Sequence, residues 1–160
     1  MTKRKIQILL LSAGVAVLLA TCLMSIFTPV CRDNERNRRE TIVKQRLCII
    51  RTAQEHYRNV HGCYANDFKQ LITVKLIADS LQYIPYADGA KFRIAATKIE
   101  GKNGKMIPVM ECSALYADFL KGMNEKYISS LIENANILGE YPGLKFGDIT
   151  SNNDNAANWE

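Results

Sequence analysis

The chain has 160 residues, 48% of them hydrophobic, with 21 Lys and Arg against 16 Asp and Glu. That is about one domain of chain, not all of it globular. The net charge of +5 is modest and much of it flanks an apolar run, which argues against a nucleic-acid-binding surface.

Residues 1–5 form a basic N-terminal segment with Lys3, Arg4 and Lys5. Residues 6–31, IQILLLSAGVAVLLATCLMSIFTPVC, carry no charge, and their polar interruptions are Gln7, Ser12, Thr21, Ser25 and Thr28. A bilayer span takes roughly 20 apolar residues, whereas the apolar centre of a cleavable signal is about 7–15 long. The run therefore reads as a retained, single-pass transmembrane helix in contact with membrane lipid. Within it, Leu19 to Cys22 (LATC) resembles the lipobox of bacterial lipoproteins, with Cys22 as the lipidated residue. Thr21 stands where that motif usually has Gly, Ala or Ser, and the chain stays apolar afterwards through Leu23, Met24, Ile26 and Phe27. A lipidated envelope binding protein is the alternative this motif supports.

Two signals of orientation conflict. After the span come Arg32, Arg36, Arg38, Arg39, Lys44 and Arg46, diluted by Asp33, Glu35 and Glu40. Counted literally, Lys and Arg near the span ends favour a cytoplasmic domain, as a membrane regulator would have. A short basic segment before an apolar anchor instead sends the following domain outward. The basic residues beside the span also suit anionic lipid head groups, at about 1 kcal/mol each.

Residues 32–160 read as one α+β domain. Asp33 to His61 is uninterrupted by Gly or Pro, which predicts a long helix, continuous with the membrane helix or hinged from it near Pro29. Its first turns are a polar stalk. Val43, Leu47, Ile50, Ala53, Tyr57 and Val60 then recur at steps of three and four and form one apolar stripe, widened by Ile42 and Ile49. Such a stripe must be covered, because an isolated amphipathic helix gains little from propensity alone. Gly62 is placed to take the left-handed cap that ends this helix.

A second helix is expected over Asn66 to Ile77, with Phe68, Leu71, Ile72 and Leu76 apolar. Extended chain should begin at Asp79 to Tyr83, and the IPYADGAKF segment, with its Pro and Asp-Gly, should turn between strands. The runs AKFRIAATKI and MIPVMECSAL, joined by GKNGK, predict strand, tight turn, strand. NEKYISSLIENANIL is an additional C-terminal helix, with Tyr127, Ile128, Leu131, Ile132, Ala135 and Leu138 on one side and Gly139 as its stop. YPGLKFGDI is turn-rich, with room for one more short strand, and residues 151–160 form a polar tail carrying Trp159.

Five cysteines, Cys22, Cys31, Cys48, Cys63 and Cys112, include no Cys-x-x-Cys pair, so neither a redox motif nor a zinc ribbon is signalled. An extracytoplasmic domain allows a Cys63–Cys112 disulfide; small buried thiols are the other reading. His56 and His61 lie five apart, off the four-residue spacing of a helical metal pair. GKNGK lacks the spacer and the Ser or Thr of a phosphate loop. No constellation for catalysis, no metal site and no cofactor site is indicated, and the chain reads as no enzyme.

At Arg51 to Leu71 the pattern, IIRTAQEHYRNVHG running into Gly-x-Tyr and then Asp-Phe-x-x-Leu, resembles the type IV pilin and type II secretion pseudopilin fold. The likeness covers about residues 1–77 and implies a membrane-anchored helix packed on a small antiparallel sheet. The later segments YIPYADGAKF and YPGLKFGDITSNNDNAANWE resemble uncharacterised small envelope proteins of anaerobic Gram-negative bacteria. Together these likenesses imply an inner-membrane protein with a periplasmic domain and an assembly or scaffolding role, meeting a protein partner or further copies of itself in the envelope. The apolar run departs from the pilin pattern, since it has no Gly-Phe junction and no Glu, and Gly14 precedes Val15. The resemblance thus implies fold and anchor. It does not imply prepilin processing or glutamate-guided filament assembly.

Overall fold

The computed structural model describes residues 3–101 and 104–160, with backbone alone at 3–6, 9, 10, 26, 28 and 29. It is α+β. In chain order come α1 (Lys3–His61), α2 (Phe68–Thr73), a 3-10 turn (Asp79–Gln82), β1 (Arg93–Glu100), β2 (Met106–Leu115), α3 (Tyr116–Phe119), α4 (Glu125–Leu138) and β3 (Gly143–Gly147). The backbone is helical on both sides of position 29. Two compact units divide the chain, Met1–Asn37 and Arg38–Glu160.

In the first unit α1 is long and apolar enough to cross a membrane, and none of that stretch is buried. Leu11 is 75% exposed and Phe27 65%. Soluble proteins rarely expose such a continuous apolar surface, which in water is an aggregation liability.

In the second unit the α1 stripe meets its partners. Val43, Leu47 and Ile50 are fully buried, Ala53 nearly so, and Tyr57 is half-buried against the same cluster. That cluster also holds Phe68 and Leu71 of α2, Met110, Cys112 and Ala114 of β2, Phe119 of α3, and Leu144 and Phe146 of β3. The stripe ends one turn earlier than its spacing suggests: Val60 is 76% exposed, because the chain leaves the helix two residues later. Ile49 is also on the open side.

The sheet is antiparallel in the order β1-β2-β3. Its register places Ile94, Cys112 and Phe146 in one row across three strands, with Ala96 beside Met110 and Ala114 beside Leu144. These even-numbered residues share one face, as period-two alternation requires, and it is the face turned to the core. The opposite face carries Arg93, Ser113 and Lys145 in one row, and Lys145 lies 3.6 Å from Glu111. The β1–β2 turn closes with Gly101 N–H donating to Lys105 C=O at 2.8 Å; Lys102 and Asn103 of GKNGK lie outside the described residues.

Four sequence expectations need correction. The second helix is only Phe68–Thr73. Asp67 caps its start, and Lys75, at φ +58°, closes it through Lys75 N–H to Ile72 C=O and Leu76 N–H to Leu71 C=O. Asp79 to Gln82 is a 3-10 turn, not extended chain. On α4 only Ala135 is buried, Ile128 and Leu131 are half-covered, and Leu138 is 70% exposed, so its apolar side is covered only in part. The polar tail is no loose end. Phe146 bridges Ala157, Asn158 N–H donates to Lys145 C=O at 2.9 Å, and Trp159 packs on the core.

Replacing Leu47 by Asp strands a charge at a fully buried site, at a cost of several kcal/mol against the roughly 5–15 kcal/mol that holds a domain. For the full chain in detergent we expect the melting transition to fall by about 10 °C or more. Ile49→Asp, on the exposed side of the same helix, should leave it unchanged.

Candidate functional site

The corner after α1 is built by α1 itself. Gly62 adopts φ +69° and donates its N–H to Arg58 C=O at 2.8 Å, which stops the helix and turns the chain back. Gln54, fully buried, then holds the returning strand: its Nε2 donates to Ala65 C=O at 2.8 Å, and its Oε1 accepts from Ala65 N–H at 2.9 Å. One carboxamide thereby satisfies both backbone groups of a residue that is itself fully buried.

Tyr64 is the second fixed point, at 6% exposure. Its hydroxyl accepts from Arg58 at 3.0 Å and from Asn155 Nδ2 at 2.8 Å, and the Arg58 guanidinium lies 5.3 Å from its ring centre. The C-terminal segment is thus tied to the helix corner. A third tie joins Arg51 to the last residue: Arg51 donates to both Glu160 carboxylate oxygens, at 2.8 and 3.1 Å, and to Asn155 C=O at 3.3 Å. The Arg51 bond, with help from Ala157 N–H at 3.2 Å, holds the Glu160 carboxyl below its ordinary range.

Two further α1 arginines act the same way. Arg39 donates to Phe119 and Lys121 carbonyls at 3.3 and 2.9 Å and lies over the Tyr86 ring at 4.7 Å. Arg46 donates to Ser80 and Tyr83 carbonyls at 3.2 and 2.6 Å. Each arginine reaches a different connection, and the fixed fork of donors suits paired oxygens.

The residues singled out from sequence fall in separate places. Gly62 and the stripe Val43, Leu47, Ile50 and Tyr57 belong to this frame. Cys63 and Cys112 are free thiols and form no bridge. Cys112 is sealed between Ile94 and Phe146 in the core row, where burial pushes its thiol far up, while Cys63 is half-exposed in the loop beyond Gly62. Cys22 is exposed on the apolar part of α1. His61 stacks near Tyr57 at 4.2 Å. Among the described residues no three of His, Cys, Asp and Glu gather closely enough to hold a metal ion. Shallow grooves run along α1 at Thr41, Lys44, Gln45 and Cys48, and beside α3 and the start of α4 at Lys121, Met123, Glu125, Ile128 and Ile132.

What sequence reasoning missed is the set of long-range polar ties. Gln54, Arg39, Arg46 and Arg51 look like solvated positions in the pattern, and their partners lie 11 to 109 residues away. No protein-family model, curated protein or solved structure matches the chain.

Gln54→Leu leaves the Ala65 N–H and C=O buried without partners, at about 1–3 kcal/mol for each orphaned group. Urea unfolding of the full chain in detergent should show the loss as a lower midpoint. The tail tie gives a pH effect of definite sign. The Glu160 carboxyl is depressed in the folded state, so its contribution is present above the ordinary value of 4.5 and lost as pH falls through the folded value. Fluorescence of Trp159, the only tryptophan, should shift red on acidification, and Arg51→Met should produce that shift already at pH 7.

Proposed function

We propose that the protein is a membrane-anchored, pilin- or pseudopilin-like structural protein of the bacterial envelope, with its domain in the periplasm and a non-catalytic role in assembly or scaffolding. The observation that carries this reading is α1. Its N-terminal part exposes a continuous apolar surface that needs lipid, and its C-terminal part is the mast on which the domain is fastened. The helix-then-sheet order and the Gly62–Tyr64 corner agree with the pilin likeness of residues 51–71. The domain's polar side chains are used to fix loops, which supports a structural part over an enzyme. Fold alone does not carry activity, so filament formation is not included.

The test is topology and extraction together. In a variant whose Cys22, Cys31 and Cys48 are Ser, a membrane-impermeant thiol reagent should label Cys63 in intact cells. Cys112, fully buried, should react only after denaturation and serves as the internal control. Labelling of Cys63 only after lysis would put the domain in the cytoplasm. The protein should resist alkaline carbonate extraction, and the Cys22→Ser change should not release it. Release would instead favour lipid attachment at Cys22.

A further inference from the structure

Of the aspartates in the chain, Asp88 alone is followed by glycine. Other carboxylates of the domain are engaged by neighbouring donors: Asp67 Oδ1 accepts from Lys69 N–H at 3.2 Å, Asp79 Oδ1 from Gln82 Nε2 at 2.6 Å, and Asp148 Oδ1 from Thr150 N–H at 2.8 Å. Asp88 sits at the tip of an exposed turn. Ala90 N–H donates to Ala87 C=O at 2.9 Å, and both central residues take positive φ, Asp88 at +47° and Gly89 at +84°. That is the pattern of a type I′ turn, in which a residue with a Cβ is strained.

The turn brings a nucleophile and an electrophile of the chain itself together. Gly89 has no side chain to crowd its nitrogen, and open space lies where a Cβ would stand. Its N–H donates to no group among the described residues. The Asp88 side chain is 76% exposed, and its one partner among the described residues is Lys121, whose Nζ lies 2.9 Å from Oδ2 and whose own side chain is 61% exposed. The Asp88 carboxyl carbon is thus next in the chain to an amide nitrogen that is neither crowded nor bonded.

We propose that Asp88–Gly89 is a site of spontaneous isoaspartate formation, guarded by Lys121. The Gly89 nitrogen bonds to Asp88 Cγ and gives up its proton, a carboxyl oxygen leaves as water, and a cyclic imide results. Water then adds to one imide carbonyl and breaks its bond to nitrogen. Cleavage at Cγ restores aspartate, while cleavage at the main-chain carbonyl leaves the chain running through Cβ and Cγ. One water leaves and one enters, and nothing is oxidised or reduced. Lys121 opposes the first step, because it occupies the oxygen that must be protonated to leave. An exposed ion pair holds weakly, so this guard slows the reaction without stopping it. The added main-chain atom lengthens the turn and disturbs the pairing of residues 82–84 with 90–92, held by Phe92 N–H to Gln82 C=O at 2.9 Å and Ile84 N–H to Ala90 C=O at 2.8 Å. This modification site goes beyond the anchoring role and does not depend on which way the domain faces.

The test ages the full chain in detergent micelles in heavy-oxygen water and then digests it with trypsin in ordinary water. Cleavage after Lys75 and Lys91 releases residues 76–91, which hold Asp88 and also Asp79 as an internal comparison. Electron-transfer fragmentation locates the isoaspartate. It should build up at Asp88, with one heavy oxygen retained, and not at Asp79. Lys121→Met, at an exposed position, should speed the build-up by about twofold or more. The same peptide aged alone gives the rate without the fold. No isoaspartate at Asp88 in the time the free peptide takes to convert by half, equal conversion at Asp79, or an unchanged rate with Lys121→Met would overturn the proposal.

Discussion

Gln54 sits at full burial with both ends of its carboxamide on the backbone of Ala65, and the rest of the domain is arranged around that join. A long helix can bury only one face, and the stripe Val43–Leu47–Ile50–Ala53 needs cover from residues far along the chain. The chain must therefore reverse sharply after His61 while keeping its backbone polar groups satisfied. Gly62 provides the reversal, through a conformation open to it without a Cβ clash, and Gln54 provides the satisfaction. Once Tyr64, Ala65 and Phe68 are held against α1, the core has a floor on which the sheet can settle.

The same logic repeats along the helix with charge. Arg39, Arg46, Arg51 and Arg58 stand at the margins of the stripe and reach, in turn, the α3–α4 connection, the 3-10 turn, the C-terminus and the corner. Surface ion pairs contribute little individually, so the worth of these contacts lies in geometry. Each ties a connection to α1, the helix that carries the buried stripe. The result is a domain in which apolar burial sets the core and arginine sets the loops. In the other unit, α1 is long and apolar enough to cross a membrane, and its described large apolar side chains, such as Leu11 and Phe27, are exposed.

Periodicity made the helix stripe, the β1–β2 hairpin and α4 legible in the sequence, because side-chain spacing of 3.6 or 2 follows directly from which face is buried. Gly62 and Gly139 were legible for a similar reason, since both take positive φ at a helix end. The C-terminal tail was not. SNNDNAANWE reads as polar and loose, yet Ala157 and Trp159 are its core contacts, and its Asn and Glu side chains bond to groups in distant elements. Local pattern carries no record of such pairings. Of the two readings open for Cys63 and Cys112, a bridge or separate thiols, spacing could not choose; both are free here, Cys112 buried in the core row and Cys63 half-exposed in the loop. Val60 and Leu138 kept the helical spacing and still came out exposed, because their helices outrun the surface they cover.

α1 between Val43 and Tyr57 is the organiser of the domain, so its packing, the sheet and the C-terminal segment stand or fall together. Native-state hydrogen exchange of the full chain in detergent, followed over rising urea, measures this most directly. The amides of α1 residues 43–57, of β2 residues 110–114 and of Gly147 and Asn158 should merge into one opening event of the same free energy and the same urea dependence. A sheet or tail that stays protected after the α1 amides have opened would contradict it.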